Sequence, residues 1–315
     1  MIDLAQIYQA RERIAKIVKQ TPLLSSKTIS EEIGNQLFFK CEHLQKTGSF
    51  KIRGAANKVI ISEAERGAKY VVGASSGNHG QAVAYVANLL GLKSTIVVPE
   101  DVAACKQKAI RVYHGGLEFC GLTSGERIER AKQICEDEQA VFIPPYDDPL
   151  VMAGQGTAGL EILEQLDEID EVYVPIGGGG LISGVATAIK ESNPRIRVIG
   201  VEPALANDTY LSYNKGQRVN IGVTTTIADG LRTSIPGELT FPIVQKYVDE
   251  IVLVKEEAIK RAFSFVLTRM KQVIEPSGAV SVAAAMESGA GGKRIIALVS
   301  GGNVDTAVIP SLLIE

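Results

Sequence analysis

VYVPIGGGGLISG, residues 172–184, joins a β-rich apolar run to a helical one through four consecutive glycines. The uncharged window from Val172 to Ile189 is 18 residues long, enough to raise the question of a membrane helix. Pro175 and the glycines decide against it, because a helix interior loses about 1 kcal/mol per glycine and about 3 kcal/mol per proline. The stretch therefore reads as a strand over 172–176, a loop, and a helix over 181–192. A glycine run lets the backbone wrap an oxyanion with its own N–H groups, and the positive end of the following helix adds potential at the same point. The expected occupant is a phosphate. A dinucleotide fingerprint competes, since Gly178-x-Gly180-x-x-Ser183 approaches G-x-G-x-x-G and Glu202 ends the next strand. Ser183 in place of the third glycine weakens that second reading.

Outward from this unit the same alternation repeats. Leu4, Ile7, Ala10, Ile14 and Ile17 recur every three or four residues, as on one face of an opening amphipathic helix. Beyond it, strands are expected at 37–42, 70–74, 94–99, 117–121, 140–144, 172–176, 197–202, 250–254 and 294–300. Helical patterns fall over 49–60, 78–90, 105–113, 124–138, 157–166, 181–192, 256–272 and 277–287. Strands separated by helices need crossover connections, so the class is α/β, with mostly parallel sheets covered by helices. A length of 315 residues corresponds to about two domains, or one large α/β unit. No repeat and no Gly/Ser or Pro linker marks a boundary. The expected division is a small domain over 61–147 set into a large domain of 1–60 and 148–315, with a ligand cleft between two sheets.

Composition narrows the partners. Lysines and arginines number 33 against 36 acidic residues, a net charge of −3, so nothing draws nucleic acid or anionic lipid electrostatically. Cys41, Cys105, Cys120 and Cys135 are widely spaced with no C-x-x-C, which argues for reduced, mostly buried thiols rather than a zinc site or a disulfide scaffold. The N-terminus mixes charged and apolar residues without the apolar core of a signal peptide. A cytoplasmic protein without a membrane segment is expected.

Four other segments are chemically unusual. Lys51, in Thr47-Gly48-Ser49-Phe50-Lys51, opens a helix, where the dipole disfavours a cation. It is either a solvated lysine or an amine whose pKa is depressed by that dipole and by burial, a nucleophile toward an aldehyde. Ser75-Ser76-Gly77-Asn78-His79-Gly80 lies between a strand and a helix, so free N–H groups and small polar side chains make either a carboxylate or phosphate cradle or an ordinary cap. His79 alone reads as a structural histidine. Ser300-Gly301-Gly302-Asn303 ends the last strand at the same edge, as a turn or as part of the site. Glu202 and Asp208, with the intervening carbonyls, offer oxygen ligands to a hard cation such as Mg²⁺ or Ca²⁺, or form a plain acidic loop.

With these residues in view, the chain resembles the threonine dehydratase and serine racemase family of pyridoxal-phosphate (PLP) enzymes, of the tryptophan-synthase-β-like fold, fold type II. The resemblance rests on LQKTGSFKIRGA (44–55), SSGNHGQAVA (75–84), AGQGTAGLEI (153–162), PIGGGGLISG (175–184), GVEP (200–203), TIADG (226–230), IEPSGA (274–279) and SGGNVD (300–305). It spans nearly the whole chain and puts PLP in the cleft between the two domains. It implies that Lys51 bonds PLP covalently and later moves the substrate's Cα proton, while Phe50 packs against the cofactor ring. Gly177, Gly178, Gly179 and Gly180 would hold the phosphate, Asn78 the ring hydroxyl, and Ser300 the pyridine nitrogen. Ser75, Ser76, Asn78 and His79 would surround the substrate carboxylate, and Glu202, the Ala206 carbonyl and Asp208 would hold a Mg²⁺ or Ca²⁺ ion.

The implied activity is that of an ammonia-lyase. Water is lost from threonine, serine or a related hydroxy amino acid, and a 2-oxo acid and ammonia are formed. A serine at the ring nitrogen limits the ring as an electron sink and so favours prompt elimination over chemistry that needs a long-lived carbanion. The chain ends shortly after SGGNVD, without the regulatory domain of biosynthetic threonine dehydratases, which points to a catabolic or specialised member. Pro145-Tyr146-Asp147-Asp148-Pro149 resembles the dehydratase version of its loop. Ser76, a second proton donor opposite Lys51, keeps amino-acid racemisation open. A homodimer is also implied. An NAD-dependent oxidoreductase using the Gly178 loop and Glu202, and a binding module without turnover, are the readings from other classes.

Overall fold

The described residues form ten strands: β1 (Leu23–Ser25), β2 (Gln36–Cys41), β3 (Tyr70–Ala74), β4 (Lys93–Val98), β5 (Gly116–Phe119), β6 (Val141–Ile143), β7 (Glu171–Pro175), β8 (Arg197–Pro203), β9 (Glu250–Val254) and β10 (Arg294–Val299). The computed structural model describes every residue except Ser76, Asp101, Ala103, Leu122, Thr123 and Glu315, and the side chains of all the rest except Arg66, Cys105 and Ser124. The strands form two sheets, ordered β1-β2-β10-β7-β8-β9 and β5-β4-β3-β6. Every neighbouring pair is parallel except β1 with β2. All five residues of β3 and of β7 are buried, as strands covered by helices on both faces must be. The α/β class with mostly parallel, helix-covered sheets is thus the one that the alternation of apolar runs implies.

β1 escapes the sequence pattern because three residues on an antiparallel edge are too short to display a period. The helices Lys27–Ile33, Asp208–Lys215, Thr240–Tyr247 and Ile309–Leu312 are likewise short and were not anticipated. Asp208 is therefore the first residue of a helix, not part of an irregular acidic loop. The helix Glu256–Thr268 stops ahead of the expected 272, and Lys271 lies beyond it at φ 58. Of the thiols, Cys41 is buried, Cys120 and Cys135 are half-buried rather than enclosed, and all three are free.

The helix Pro149–Gln165 begins well ahead of the expected residue 157. Two glycines in Ala153-Gly154-Gln155-Gly156 mask it, since glycine has low helix propensity. The structure gives them another task. A Cβ on Gly154 would lie 2.5 Å from the Arg53 carbonyl oxygen, and one on Gly156 2.9 Å from that of Gly184, so backbone meets backbone where three helices cross. Asp148 starts the helix, its carboxylate accepting from the Leu150 and Val151 N–H groups at 2.9 and 3.1 Å, with Pro149 in the first turn.

A buried ionic cluster pins the start of the helix Lys51–Arg66. Arg53 has no exposed surface. Its guanidinium donates to both oxygens of Glu42 at 2.7 and 2.8 Å and to both of Glu161 at 2.7 and 2.9 Å. The Lys40 amine adds a second cation, 2.5 Å from Glu161 Oε2 and 2.8 Å from the Thr21 carbonyl oxygen. Two cations face two carboxylates, and each charge is hydrogen-bonded, the condition under which burial of ions is tolerated. Burial pushes the Glu42 carboxyl up, but the adjoining Arg53 guanidinium outweighs it and holds the group below its ordinary range.

Candidate active site

Three strand ends and three helix starts converge on one cleft of about 230 Å³, lined by residues that include Lys51, Asn78, Gly177, Tyr146, Glu275 and Ser300. Within each sheet the parallel strands put their carboxyl ends on one side, so β7 and β10 of the six-stranded sheet deliver the glycine loop and Ser300, and β3 of the four-stranded sheet delivers Ser75, to the same cleft. Phe50, His79, Gly178, Gly179 and Gly180 also line the cleft. Ser76, the expected second proton donor, lies outside the described residues.

The glycine loop is built for an anion. Gly179 sits at φ 89, a left-handed conformation that side chains resist. A Cβ on Gly178 would strike the Tyr146 ring, and one on Gly180 would lie 2.8 Å from Tyr146 Cβ. The N–H groups of Gly177, Gly178 and Gly179 have no acceptor among the described residues, and Gly180 opens the helix Gly180–Ser192. Unpaired donors at the positive end of a helix fit a phosphate.

Lys51 supplies the second requirement. Its amine donates to the Pro145 carbonyl oxygen at 2.7 Å and lies 5.2 Å from the centre of the Phe50 ring. Burial lowers its pKa to about 8, with the Glu275 charge opposing the shift. A buried, partly neutral amine is the nucleophile an aldehyde needs. The donor set and the cradle together fit pyridoxal phosphate, with its aldehyde at Lys51 and its phosphate at the glycines.

Asn78 belongs to a directed chain of hydrogen bonds. Asn303 Nδ2 donates to the Thr47 carbonyl oxygen and to Asn78 Oδ1, both at 2.7 Å, and Asn78 Nδ2 donates to Glu275 Oε1 at 2.7 Å. The Thr47 carbonyl can only accept, so it fixes both amides: Asn78 turns its oxygen to Asn303 and its nitrogen to Glu275. Burial first, then the Asp229 charge, pushes the Glu275 carboxyl up to about 8. Ser300 is buried, and its hydroxyl is 3.4 Å from the Ser277 carbonyl oxygen.

His79 is turned away from acid chemistry. Its Nε2 donates to the Ile143 carbonyl oxygen at 2.8 Å, while Nδ1 is buried without a partner among the described residues. Burial, then the Lys51 charge, lowers its pKa to about 3, so the ring stays neutral. What His79 can offer a carboxylate is its backbone N–H in the first turn of the helix Asn78–Leu89. The Ser75 hydroxyl accepts from the Gly77 N–H at 3.2 Å at the same corner.

Glu202, Ala206 and Asp208 do not line the cleft. Both carboxylates are fully buried. Glu202 accepts from the Thr209 and Tyr210 N–H groups at 3.1 and 2.7 Å, and Asp208 Oδ1 from the Thr233 hydroxyl at 3.1 Å, while Asp208 Oδ2 has no partner among the described residues. Burial and the Asp208 charge push the Glu202 carboxyl well up, and burial pushes Asp208 up to about 6. Among the described residues no three His, Cys, Asp or Glu side chains form a metal cluster. Thr233 connects this pair to the cleft wall.

The sequence reading gave no individual role to Glu275, Asn303, Tyr146 or Thr240. Glu275 and Asn303 stand inside IEPSGA and SGGNVD, yet neither segment shows that they meet across Asn78. Lys106 and Asp229, 2.7 Å apart, both line the cleft; Asp229 stands inside TIADG, but no motif marks Lys106 or the pairing of the two.

The family described as "Pyridoxal-phosphate dependent enzyme" matches residues 14–301 of the chain. An L-threonine ammonia-lyase of Geobacter sulfurreducens is 45% identical over 318 residues, covering 100% of this chain and 79% of that protein. A serine racemase of Dictyostelium discoideum is 43% identical over 318 residues, covering 99% and 98%. The structure of maize serine racemase is similar with a TM-score of 0.94 at 42% identity, over 98% of this chain and 96% of that one.

Proposed function

The chain belongs to the family of pyridoxal-phosphate-dependent enzymes, and from that premise we propose that it is an ammonia-lyase removing water from threonine, serine or a related hydroxy amino acid. The observation that carries the reading is that the buried Lys51 amine and the unpaired N–H groups of Gly177, Gly178 and Gly179 belong to one cleft. When bound, PLP supplies an aldehyde that joins to amines and a conjugated ring that makes the substrate's Cα–H acidic. Gly177 to Gly180 would hold the phosphate, Asn78 would donate to the ring hydroxyl, Phe50 would pack against the ring and Ser300 would face its nitrogen. The N–H groups at the start of the helix Asn78–Leu89, with Ser75 and Ser76, bind the substrate carboxylate.

Lys51 is the base. With a pKa of about 8, roughly a tenth of its amine is neutral at pH 7, so it can take the Cα proton. The proton taken by Lys51 balances the one that the β-hydroxyl gains in order to leave as water, so the elimination consumes no net proton. The unsaturated amine released hydrolyses in solution to a 2-oxo acid and ammonia. Racemisation is a second activity of the same site, favoured by relatives of both names at nearly the same identity, with Ser76 as the proton carrier on the other face.

A divalent cation, Mg²⁺ or Ca²⁺, would be held by Glu202, the Ala206 carbonyl and Asp208. The unpartnered Asp208 Oδ2 beside a second buried carboxylate supports this, since the two repel unless a cation or a proton lies between them. The two sheets support a large domain of 1–60 and 148–315 and a small one of 61–147. The resemblance supports a homodimer in the cytoplasm.

Purified protein should be yellow, lose that absorption on borohydride reduction, and release 2-oxo acid from L-threonine or L-serine, with D-serine scored in parallel. Colourless protein that produces no 2-oxo acid from a panel of hydroxy amino acids overturns the reading.

A further inference from the structure

Beside the glycine loop lies a side chain that does not line the cleft and yet holds the loop's shape. Thr240 has no exposed surface. Its hydroxyl donates to the Gly178 carbonyl oxygen at 2.8 Å. No peptide bond among the described residues is cis, so the Gly178 C=O and the Gly179 N–H point in opposite directions across one planar unit. Fixing the carbonyl toward Thr240 therefore fixes the Gly179 N–H away from it, and that N–H has no acceptor among the described residues.

Thr240 is itself held from two sides. The Asp147 carboxylate accepts from the N–H groups of Glu238, Leu239 and Thr240 at 2.9, 2.8 and 3.2 Å, fixing the start of the helix Thr240–Tyr247. The Ser183 hydroxyl, on the helix that follows the glycines, donates to the Thr240 carbonyl oxygen at 3.3 Å. Asp147 adjoins Tyr146, which packs on Gly178 and Gly180, and Pro145, whose carbonyl oxygen receives the Lys51 amine. Three consecutive residues thus connect the lysine end of the cleft to the glycine end.

We propose that Thr240 is a positioning residue for the phosphate cradle, its hydroxyl orienting the Gly178–Gly179 peptide so that the Gly179 N–H meets the phosphate, with Asp147 fixing Thr240 in place. The inference rests on the reading of the cleft as a pyridoxal-phosphate site. It makes Thr240 act on the phosphate alone, because the aldehyde end is held by Lys51.

The test separates those two ends. The full chain, freed of cofactor, is titrated with pyridoxal phosphate and with pyridoxal, which has the aldehyde but no phosphate. Thr240→Val removes the hydroxyl at nearly constant volume and should weaken pyridoxal phosphate about tenfold, the worth of one hydrogen bond, while pyridoxal changes less than about twofold. Thr240→Ser keeps the hydroxyl and should restore the preference, and Asp147→Asn, whose effect is indirect, should weaken pyridoxal phosphate selectively by about threefold. An unchanged ratio of the two affinities in Thr240→Val, or an equal loss of both, overturns the proposal. Should that variant fail to fold, an unchanged ratio in Asp147→Asn does the same. Wild-type protein that binds pyridoxal as tightly as pyridoxal phosphate overturns the phosphate site itself, and this inference with it.

Discussion

Replacing Arg53 by methionine should destabilise the protein by about 4 kcal/mol near neutral pH, because removing one partner of a buried ion cluster costs about 3–5 kcal/mol. The magnitude follows from what remains. Glu42 and Glu161 lose the guanidinium that bridges their four oxygens, and only Lys40 stays to face two buried carboxylates. Total stabilities of about 5–15 kcal/mol make this a large fraction, and a shift of the melting temperature on the order of 10 °C is expected. The loss should depend on pH with a definite sign. In the wild type, Arg53 holds the Glu42 carboxyl below its ordinary value of 4.5, a contribution present above that pH and lost below it. In the variant the same carboxyl is buried without its main partner, so its pKa rises and the protein is relieved by protonation as pH falls. The gap between the two proteins should be wide at pH 8 and narrow toward pH 5. Urea unfolding of the holoenzymes at both values measures it, with Arg53→Lys intermediate because it keeps the charge and loses the fork. A gap under about 0.5 kcal/mol at pH 8, the size of an ordinary surface substitution, or one equal at both pH values, refutes the reasoning.

Other outcomes follow from the cleft. Lys51→Ala should abolish turnover and the visible absorption while leaving circular dichroism unchanged; near-normal activity would remove Lys51 from its role. Capture of pyridoxal phosphate by cofactor-free protein should accelerate about tenfold between pH 6 and 7 and level off above the Lys51 pKa of about 8, whereas a flat profile from pH 6 counts against a depressed amine. Ser300→Asp should shift product partition from 2-oxo acid toward D-amino acid, measured by chiral chromatography, and unchanged partition contradicts the placing of Ser300 at the ring nitrogen. Excess chelator should lower melting temperature and activity together, with Mg²⁺ or Ca²⁺ restoring both and Asp208→Ala insensitive to either. Full activity and an unchanged melting temperature in chelator, for both wild type and variant, mark the Glu202–Asp208 pair as ionless.

The α/β class, nine of the strands, Lys51 and the glycine loop were legible in the chain itself because each is written in neighbouring residues. An apolar period, a crossover length and four glycines between a strand and a helix are local properties, and backbone sterics and the helix dipole act over the same short range. What lay outside that range was decided by tertiary structure. The start of the helix Pro149–Gln165 was hidden by glycines whose use is a contact with other helices, so propensity pointed the wrong way. Arg53 acquires its partners Glu42 and Glu161, and Gly178 its partner Thr240, only after the sheets and helices are assembled. Asn303 reaches Asn78 across 225 residues of sequence, and no spacing rule connects them. Hydrogen bonds and ion pairs depend on distances of a few ångströms, which chain connectivity sets for near neighbours and only folding sets for the rest.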